Sequence, residues 1–312
     1  MNGQVDLRRL QVLRMVAQHQ TVTAAAGALH LTPSAVSHQL RQLAHELGVA
    51  LLEPHGRRVR LTPAGETLVR YADRLHADWE RARTELAGYA ADGAAGVLRL
   101  CGFATAVSEV LAPAARQLGD TYPRLEVRIA EVETTEAFDL LLAGEVDIAV
   151  VAQTPETPPV EKSRYQRQSL MSEPLDLFVP VGHPLADKPN IVLADAADEP
   201  WIVAAPGSSD CGTLILAACA AAGFAPRVAH QALDMIAVAA LVGCGLGVSL
   251  VPRLTPVPSR YPVVRVPLPD PAPSRHVATY VRPGSDQQPA IARGLEAVRE
   301  IAAHRRASLA PG

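Results

Sequence analysis

The run Leu31–Leu43, LTPSAVSHQLRQL, constrains this chain more than any other stretch. Threonine followed by proline is a strong helix start. The Thr32 hydroxyl can cap, and Pro33 sits at the first position, where a backbone N–H would lack a partner anyway. On a wheel of 3.6 residues per turn, Val36, Leu40, Leu43 and Leu47 share one narrow sector. Ser34, His38, Arg41 and His45 point the other way, with Ser37 on the flank. The predicted helix therefore buries an apolar edge and offers a short, hydrogen-bonding, cationic face with no acid before Glu46. Two helices are predicted ahead of it. Leu7, Leu10, Leu13 and Val16 give the first its apolar stripe, and Thr21 or Thr23 caps the second. The small Ala24, Ala25, Ala26 and Ala28 allow close packing, and a turn at His30–Leu31 follows. A solvated surface is the commoner fate of one polar helix face. Behind a short helix and turn, the same face has the geometry of a major-groove reader.

After Gly48 the sequence ALLEPHGRRVRLTP places two extended arms, Leu51–Leu52 and Val59–Leu61, around a turn at His55–Gly56. Arg57, Arg58 and Arg60 fall at and beyond the tip, where a basic hairpin would meet phosphate or a minor groove. Charge supports this division. Residues 1–60 hold seven arginines against Asp6, Glu46 and Glu53, a net of +4, so the rest of a chain of net −3 carries −7. A basic head on an acidic body expects a polyanion at the head only.

The stretch TVTAAAGALHLTPSAVSHQLRQLAHELGVALLEPHGRRVRLTPAGETL resembles the DNA-binding domain of LysR-type transcriptional regulators. The resemblance rests on Ala25–Ala26, SAVS at 34–37, ELG at 46–48, GRRVRLT at 56–62 and AG at 64–65. It implies that Thr23, Thr32, Ser34, Ser37, His38 and Arg41 face DNA, with Pro33 counted beside them, and that Arg57 and Arg58 form the wing. Leu52, Pro54 and Ala44 depart from residues frequent in the family at those places.

Thr62–Pro63 is a second cap-and-proline start. Leu68, Ala72, Leu75, Trp79, Ala82, Leu86 and Tyr89 follow at alternating steps of four and three, an a/d seam with Arg70, Asp73, Arg74, Asp78, Arg81 and Arg83 beside it. Residues 63–90 are thus expected as a long linker helix that pairs two copies into a homodimer. In the family this helix joins subunits, and two heads read two half-sites of an inverted-repeat operator in double-stranded DNA. AADGAAG leads into a hinge, placed at 91–96.

From residue 97 strand and helix patterns alternate. GVLRLCGF, the helix Val107–Leu118, RLEVRIAEV, the helix Thr134–Ala143 and VDIAVVAQ make a βαβαβ unit with a parallel sheet. LDLFVP, PWIVAA, the helix Cys211–Ala222, PRVAHQ, the helix Leu233–Leu241 and GVSLVP form a second series. RHVATYV and the helix Gln288–Ala303 close the body. The fold class is α/β overall: a winged helix-turn-helix over 1–62, the linker helix, the hinge and an effector domain over 97–304. Subdomain I takes 97–168 and 272–304, subdomain II takes 169–271, chain crossings lie near Gln168–Ser172 and Pro267–Ser274, and 305–312 is a tail. LLAGEVDIAVV, PLDLFVPVGHPLA and ALVGCGLGVSLVP carry the family resemblance through the body, implying a fold like a periplasmic solute-binding protein.

In such sheets a ligand sits between subdomains, at strand carboxyl ends and helix N-termini. Three junctions qualify: Phe103–Thr105, Glu131–Thr135 and Pro206–Ser209. From them Ala104, Thr105, Thr134, Ser208 and Ser209 are the candidate effector residues, suited to a small polar or anionic molecule. A plain helix cap is the alternative role of each hydroxyl.

The expected function is a ligand-responsive transcriptional regulator, a dimer or a tetramer of dimers, acting on RNA polymerase access. No catalytic residue, cofactor or metal site is expected. GCGLG at 243–247 follows a helix and precedes a strand, the reverse of a dinucleotide fingerprint, and no nucleophile elbow, zincin motif or P-loop occurs. A transport-type binding protein would suit the body but not the head. The first residues, MNGQVDLRRLQVLRM, do not read as a signal peptide, and no apolar stretch is long enough to span a bilayer, so the cytoplasm is the expected compartment. Cys101, Cys211, Cys219 and Cys244 make no C-x-x-C pair. Peroxide-sensing members of the family carry a cysteine pair near the position of Cys211 and Cys219. Here these lie eight residues apart on a predicted helix, about 12 Å, without a basic neighbour, so small core residues are expected.

Overall fold

The structure, a computed structural model, describes residues 6–56, 58–88, 94–154, 157, 164–205 and 209–307. Three helices open it: α1 (Leu7–His19), α2 (Val22–Ala28) and α3 (Pro33–Leu47). Each has its own N-cap. Asp6 accepts from Arg8 N, Thr21 from Ala24 N and Thr32 from Ala35 N, so of the two threonines offered for α2 it is Thr21 that caps. α3 ends at Gly48 in the left-handed region, φ 68°, which glycine adopts without strain. Strands β1 (Leu52–His55) and β2 (Arg58–Leu61) form the antiparallel hairpin, whose arms reach closer to the turn than the sequence suggested. Leu13, Met15, Val16, Val36, Leu40 and Leu43 are the head's core.

α4 (Pro63–Gly88) leaves the hairpin. Thr62 starts it as expected, its hydroxyl accepting from Gly65 N while donating to Ala50 O. Tyr89 and 90–93 of the predicted seam and hinge lie outside the described residues. Strand β3 (Gly96–Gly102) already includes Gly96, the last position assigned to the hinge.

The body is mixed α/β, as the pattern required. α5 (Ala104–Ala106) passes through a π turn at Val107–Leu111 into α6 (Ala112–Thr121), so the helix expected over 107–118 starts earlier and ends later. Then come β4 (Leu125–Glu131), α7 (Thr134–Ala143), β5 (Ile148–Ala152), β6 (Gln166–Pro180), β7 (Pro200–Val203), α8 (Asp210–Ala221), β8 (Arg227–Gln231), α9 (Met235–Gly243), β9 (Ser249–Pro252), β10 (Val263–Val266), β11 (Ser274–Val281) and α10 (Pro289–Ala307). The main sheet runs β10-β6-β11-β5-β3-β4, with β9 also on β6. β3 is parallel to β4 and β5, whereas β11 is antiparallel to β5 and β6, so parallel pairing covers only part of the sheet.

Three differences from the sequence reading have physical reasons. β6 is one strand of 15 residues through both halves of the body, so the crossing placed at Gln168–Ser172 is no loop. Its N-terminal half pairs with β11 and its C-terminal half with β9 and β10. Strand β10, VVRV between prolines, went unread because four residues carry little periodicity. α10 continues to Ala307, so residues 305–307 of the expected tail are helical.

α4 is fixed to the body by buried charge. Arg282 Nε lies 2.7 Å from Glu80 Oε1, Arg282 Nη2 lies 2.9 Å from Asp147 Oδ1, and Gln288 Nε2 donates to Glu80 Oε2 at 2.7 Å. Burial alone would raise the Glu80 carboxyl; Arg282 holds it below its ordinary range. His76, one turn earlier, is pushed down from 6.5 to about 4, chiefly by burial and then by the charge of Arg14. Below the ordinary histidine value the unfolded chain takes up a proton that the folded chain refuses, so stability falls as pH drops from 6.5 toward 4. The loss is on the order of 2 kcal/mol, given the partial exposure of the ring. Denaturant titrations at about pH 7 and about pH 5 should show wild type losing more stability on acidification than His76→Gln; equal losses would remove this role.

Candidate functional site

Two regions gather the residues singled out from the sequence. In the head, α3 buries Val36, Leu40 and Leu43 and leaves Thr32, Pro33, Ser34, His38 and Arg41 at the surface, with Ser37 half-buried. The Thr32 and Ser34 hydroxyls are 3.0 Å apart, and Arg41 Nε donates to Ser37 O at 3.3 Å. The N-terminal turn of α3 thus carries an ordered patch of hydroxyls ahead of one guanidinium. Thr23 is exposed on α2. Arg58 is exposed on β2 and donates to Gln20 Oε1 at 3.3 Å, while Arg60 pairs across the hairpin with Glu53. Arg57 lies outside the described residues. Glu53 therefore neutralises one of the three wing arginines, a pairing that opposite positions in a hairpin favour.

The wing is held against α4 and α1 by backbone contacts. Val59 N donates to Gln20 O at 2.9 Å and Thr62 N to Leu51 O at 3.0 Å. Gly65 lies under Leu51 so closely that a Cβ there would stand 2.1 Å from Leu51 O. The AG pair at 64–65 thus has a steric reason.

In the body, Thr105 and Thr134 of the candidate effector residues make contacts between the two halves, and Ser209 adjoins one of them. Ala104 is exposed at the start of α5. Thr105 is half-buried and its hydroxyl lies 3.3 Å from that of Thr255. Ser209 caps α8, accepting from Cys211 N at 3.1 Å, which is the plain helix-cap role. Ser208 lies outside the described residues. Thr134 is buried, and its hydroxyl donates to Ala152 O at 3.3 Å and contacts Asp210 Oδ2.

The contact with Asp210 is reciprocal. Asp210 Oδ2 accepts from Thr134 N at 3.1 Å, while Glu133 Oε2 accepts from Asp210 N at 3.0 Å. Each carboxylate thus covers the N-terminus of the other's helix, α7 in one half and α8 in the other. Glu133 makes no capping bond to its own helix. Burial raises the Glu133 carboxyl above its ordinary range, against the hydrogen bond it accepts from Asp210 N. Beside the pair, Arg275 lies over the Phe103 ring, 4.4 Å from its centroid, and its Nε donates to buried Glu173 at 2.8 Å. Glu173 in turn accepts from Leu254 N at 2.7 Å.

Sequence reasoning named the Glu131–Thr135 junction but not Asp210, Arg275, Glu173 or Thr255. The acid directly after a serine cap was the one local signal for Asp210; the others become neighbours only through the sheet. Cys101, Cys211 and Cys219 are poor thiolates. Burial raises Cys211, pushes Cys219 up to about 11 and pushes Cys101 up to about 12. Among the described residues no cluster of three or more metal-ligating side chains forms, and no helix is long and apolar enough to cross a membrane.

Known proteins match both regions. A family model described as "Bacterial regulatory helix-turn-helix protein, lysR family" covers residues 7–66, and one described as "LysR substrate binding domain" covers 91–303. The transcriptional regulator AlsR of Bacillus subtilis is 30% identical over 80% of this chain and 80% of its own. The DNA-binding transcriptional dual regulator OxyR of Escherichia coli is 28% identical over 95% of each chain. The structure of a full-length OxyR variant from Pseudomonas aeruginosa superposes with a TM-score of 0.63 at 24% identity, covering 96% of this chain and 95% of that one. This last likeness concerns the fold.

Gly65→Ala should lower the thermal unfolding midpoint measurably, by the equivalent of about 1–3 kcal/mol, because helix and wing must part to admit the methyl group. An unchanged midpoint in calorimetry would show that the close approach to Leu51 is not a constraint.

Proposed function

The chain belongs to the lysR family of bacterial regulatory proteins, and we propose from this premise how its parts divide the work. It is a transcription regulator and not an enzyme, with a helix-turn-helix DNA-binding head and a substrate-binding domain of the family type. On the proposed reading, Thr23, Thr32, Pro33, Ser34, Ser37, His38 and Arg41 meet the major groove, and Arg57 and Arg58 meet phosphate or the minor groove. One observation carries this: α3 turns Val36, Leu40 and Leu43 inward and leaves an outer face of hydroxyls, imidazole and guanidinium that no acid interrupts before Glu46.

The operator is an inverted repeat of double-stranded DNA read by a homodimer that α4 joins, with a homotetramer built from two such pairs. Of the predicted seam, Ala72 and Leu68 pack into the head's own core, while Leu75, Trp79 and Leu86 support the pairing, since they stand 52%, 59% and 62% exposed on one chain. A second copy is the apolar surface that would cover them. The effector is a small polar or anionic molecule held between the two halves of the body, near Ala104, Thr105, Thr134, Ser208 and Ser209. Two helix N-termini facing one junction support that chemistry, because each attracts negative charge. The effector's effect on the heads would govern RNA polymerase access, in the cytoplasm.

Arg41→Ala should weaken binding to the selected operator and relax its sequence preference. Arg58→Ala should weaken all duplexes alike and reduce the slope of log affinity against log salt by about 1. Equal salt slopes for Arg58→Ala and wild type would count against the wing contact. Trp79→Lys should weaken self-association by about a hundredfold in sedimentation equilibrium. If the variant dimerises as tightly as wild type, α4 is not the pairing surface.

A further inference from the structure

α7 touches both functional regions. Its N-terminus has no cap from its own segment and takes one from Asp210, on α8 in the other half of the body. Its remaining length is part of the seat on which the head rests. Asp139 Oδ1 is shared by His19 Nε2 at 2.8 Å and Gln18 Nε2 at 2.7 Å, both from the end of α1. Tyr165 closes this contact, its hydroxyl lying 2.9 Å from Gln18 Oε1 and 3.1 Å from Phe138 O. Leu142 is buried within the head's own core, and its carbonyl accepts from Gln11 Nε2. Arg164 extends the seat, lying 2.9 Å from Asp73 Oδ2 and donating to Arg14 O, while Arg14 Nε holds the other oxygen of Asp73 at 2.6 Å. None of these contacts uses the outer face of α3.

We propose that α7 is the coupling element between the cleft and the DNA-binding head within one chain, read at its first turn by Asp210 and at its second half by α1. A helix ten residues long, closed at its C-terminus by Gly144 at φ +79°, moves or frays as a unit from the end that loses its cap. When the halves of the body separate, Asp210 leaves Thr134 and the first turn of α7 loses its acceptor. Asp139 and Leu142 lie within the next two turns, so the seat of the head loosens with it. By reciprocity, loosening the seat must weaken the hold of α7 on Asp210. The coupling belongs to the fold and stands apart from what occupies the cleft. Failure to find an effector would leave it intact, and its own failure would leave the effector reading intact.

Hydrogen–deuterium exchange on the full-length chain tests it. Asp210→Ala should speed exchange roughly fivefold, the scale of a lost N-cap, in peptides covering 134–143 and also in those covering 11–20. Gln117→Ala, which cuts a contact to Glu300 away from both α7 and the junction of the halves, should leave 11–20 at the wild-type rate. Asp139→Ala should speed exchange at 210–214, and this arm decides alone if Asp210→Ala does not fold. Faster exchange in 134–143 with 11–20 unchanged would overturn the coupling. So would an equal acceleration of 11–20 by Gln117→Ala, or an unaltered 210–214 in Asp139→Ala.

Discussion

The relation between head and body depends first on Arg282. Its guanidinium is buried between Glu80 of α4 and Asp147 before β5, and Gln288 and Arg83 both donate to the other oxygen of Glu80. Buried ions are costly unless their geometry is good and their hydrogen bonds are complete. This group meets both conditions. Removing one partner of such an arrangement leaves a stranded charge, at a cost of about 3–5 kcal/mol. A long helix joined to a body only by its end would swing; this one is anchored at Glu80, in its second half. The anchor also fixes which way the helix faces. Glu80 turns inward, so Trp79 and Leu86 are left turned outward.

The junction between the halves shows a second kind of constraint. Helix N-termini that converge on a junction attract anions, and here each is already served by a carboxylate from the opposite half. An anionic ligand would therefore compete with groups of its own chemistry. Its affinity would be set by the difference between two similar sets of hydrogen bonds, which favours an equilibrium that modest ligand concentrations can tip. On the proposed reading, Glu133 and Asp210 would be an internal reference against which such a ligand is measured.

The sequence was most legible where structure is local. Thr32–Pro33 and Thr62–Pro63 begin helices at the residues expected, and α7 ends at Ala143 as expected, because caps and left-handed glycines such as Gly144 act within a few residues of the helix they end. The apolar edge of α3 was readable for the same reason. Long-range pairs left no such trace. Arg282 and Glu80 are 202 residues apart, and Arg275 and Glu173 are 102 apart. Neither arginine was singled out in the sequence, because only the fold brings its partner near. Thr105 and Thr134 were found as hydroxyls at helix starts, but that they face Thr255 and Asp210 across the junction depended on the tertiary arrangement. Ser209 shows the converse, since its bond to Cys211 N is the plain local cap.

The passage of β6 through both halves has a mechanical consequence. Along its pairing with β11 the register is regular except at one place: Val277 faces Met171 and Ala278 faces Ser169, so Leu170 is an extra residue without an opposite number. A bulge of this kind bends a strand and deepens its twist while keeping the neighbouring ladder intact. Two halves sharing an unbroken strand have no swivel point between them, and they behave as the ends of a torsion bar whose softest section is Leu170. Relative movement is then a graded twist, small at any one residue and reversible without breaking the ladder on either side.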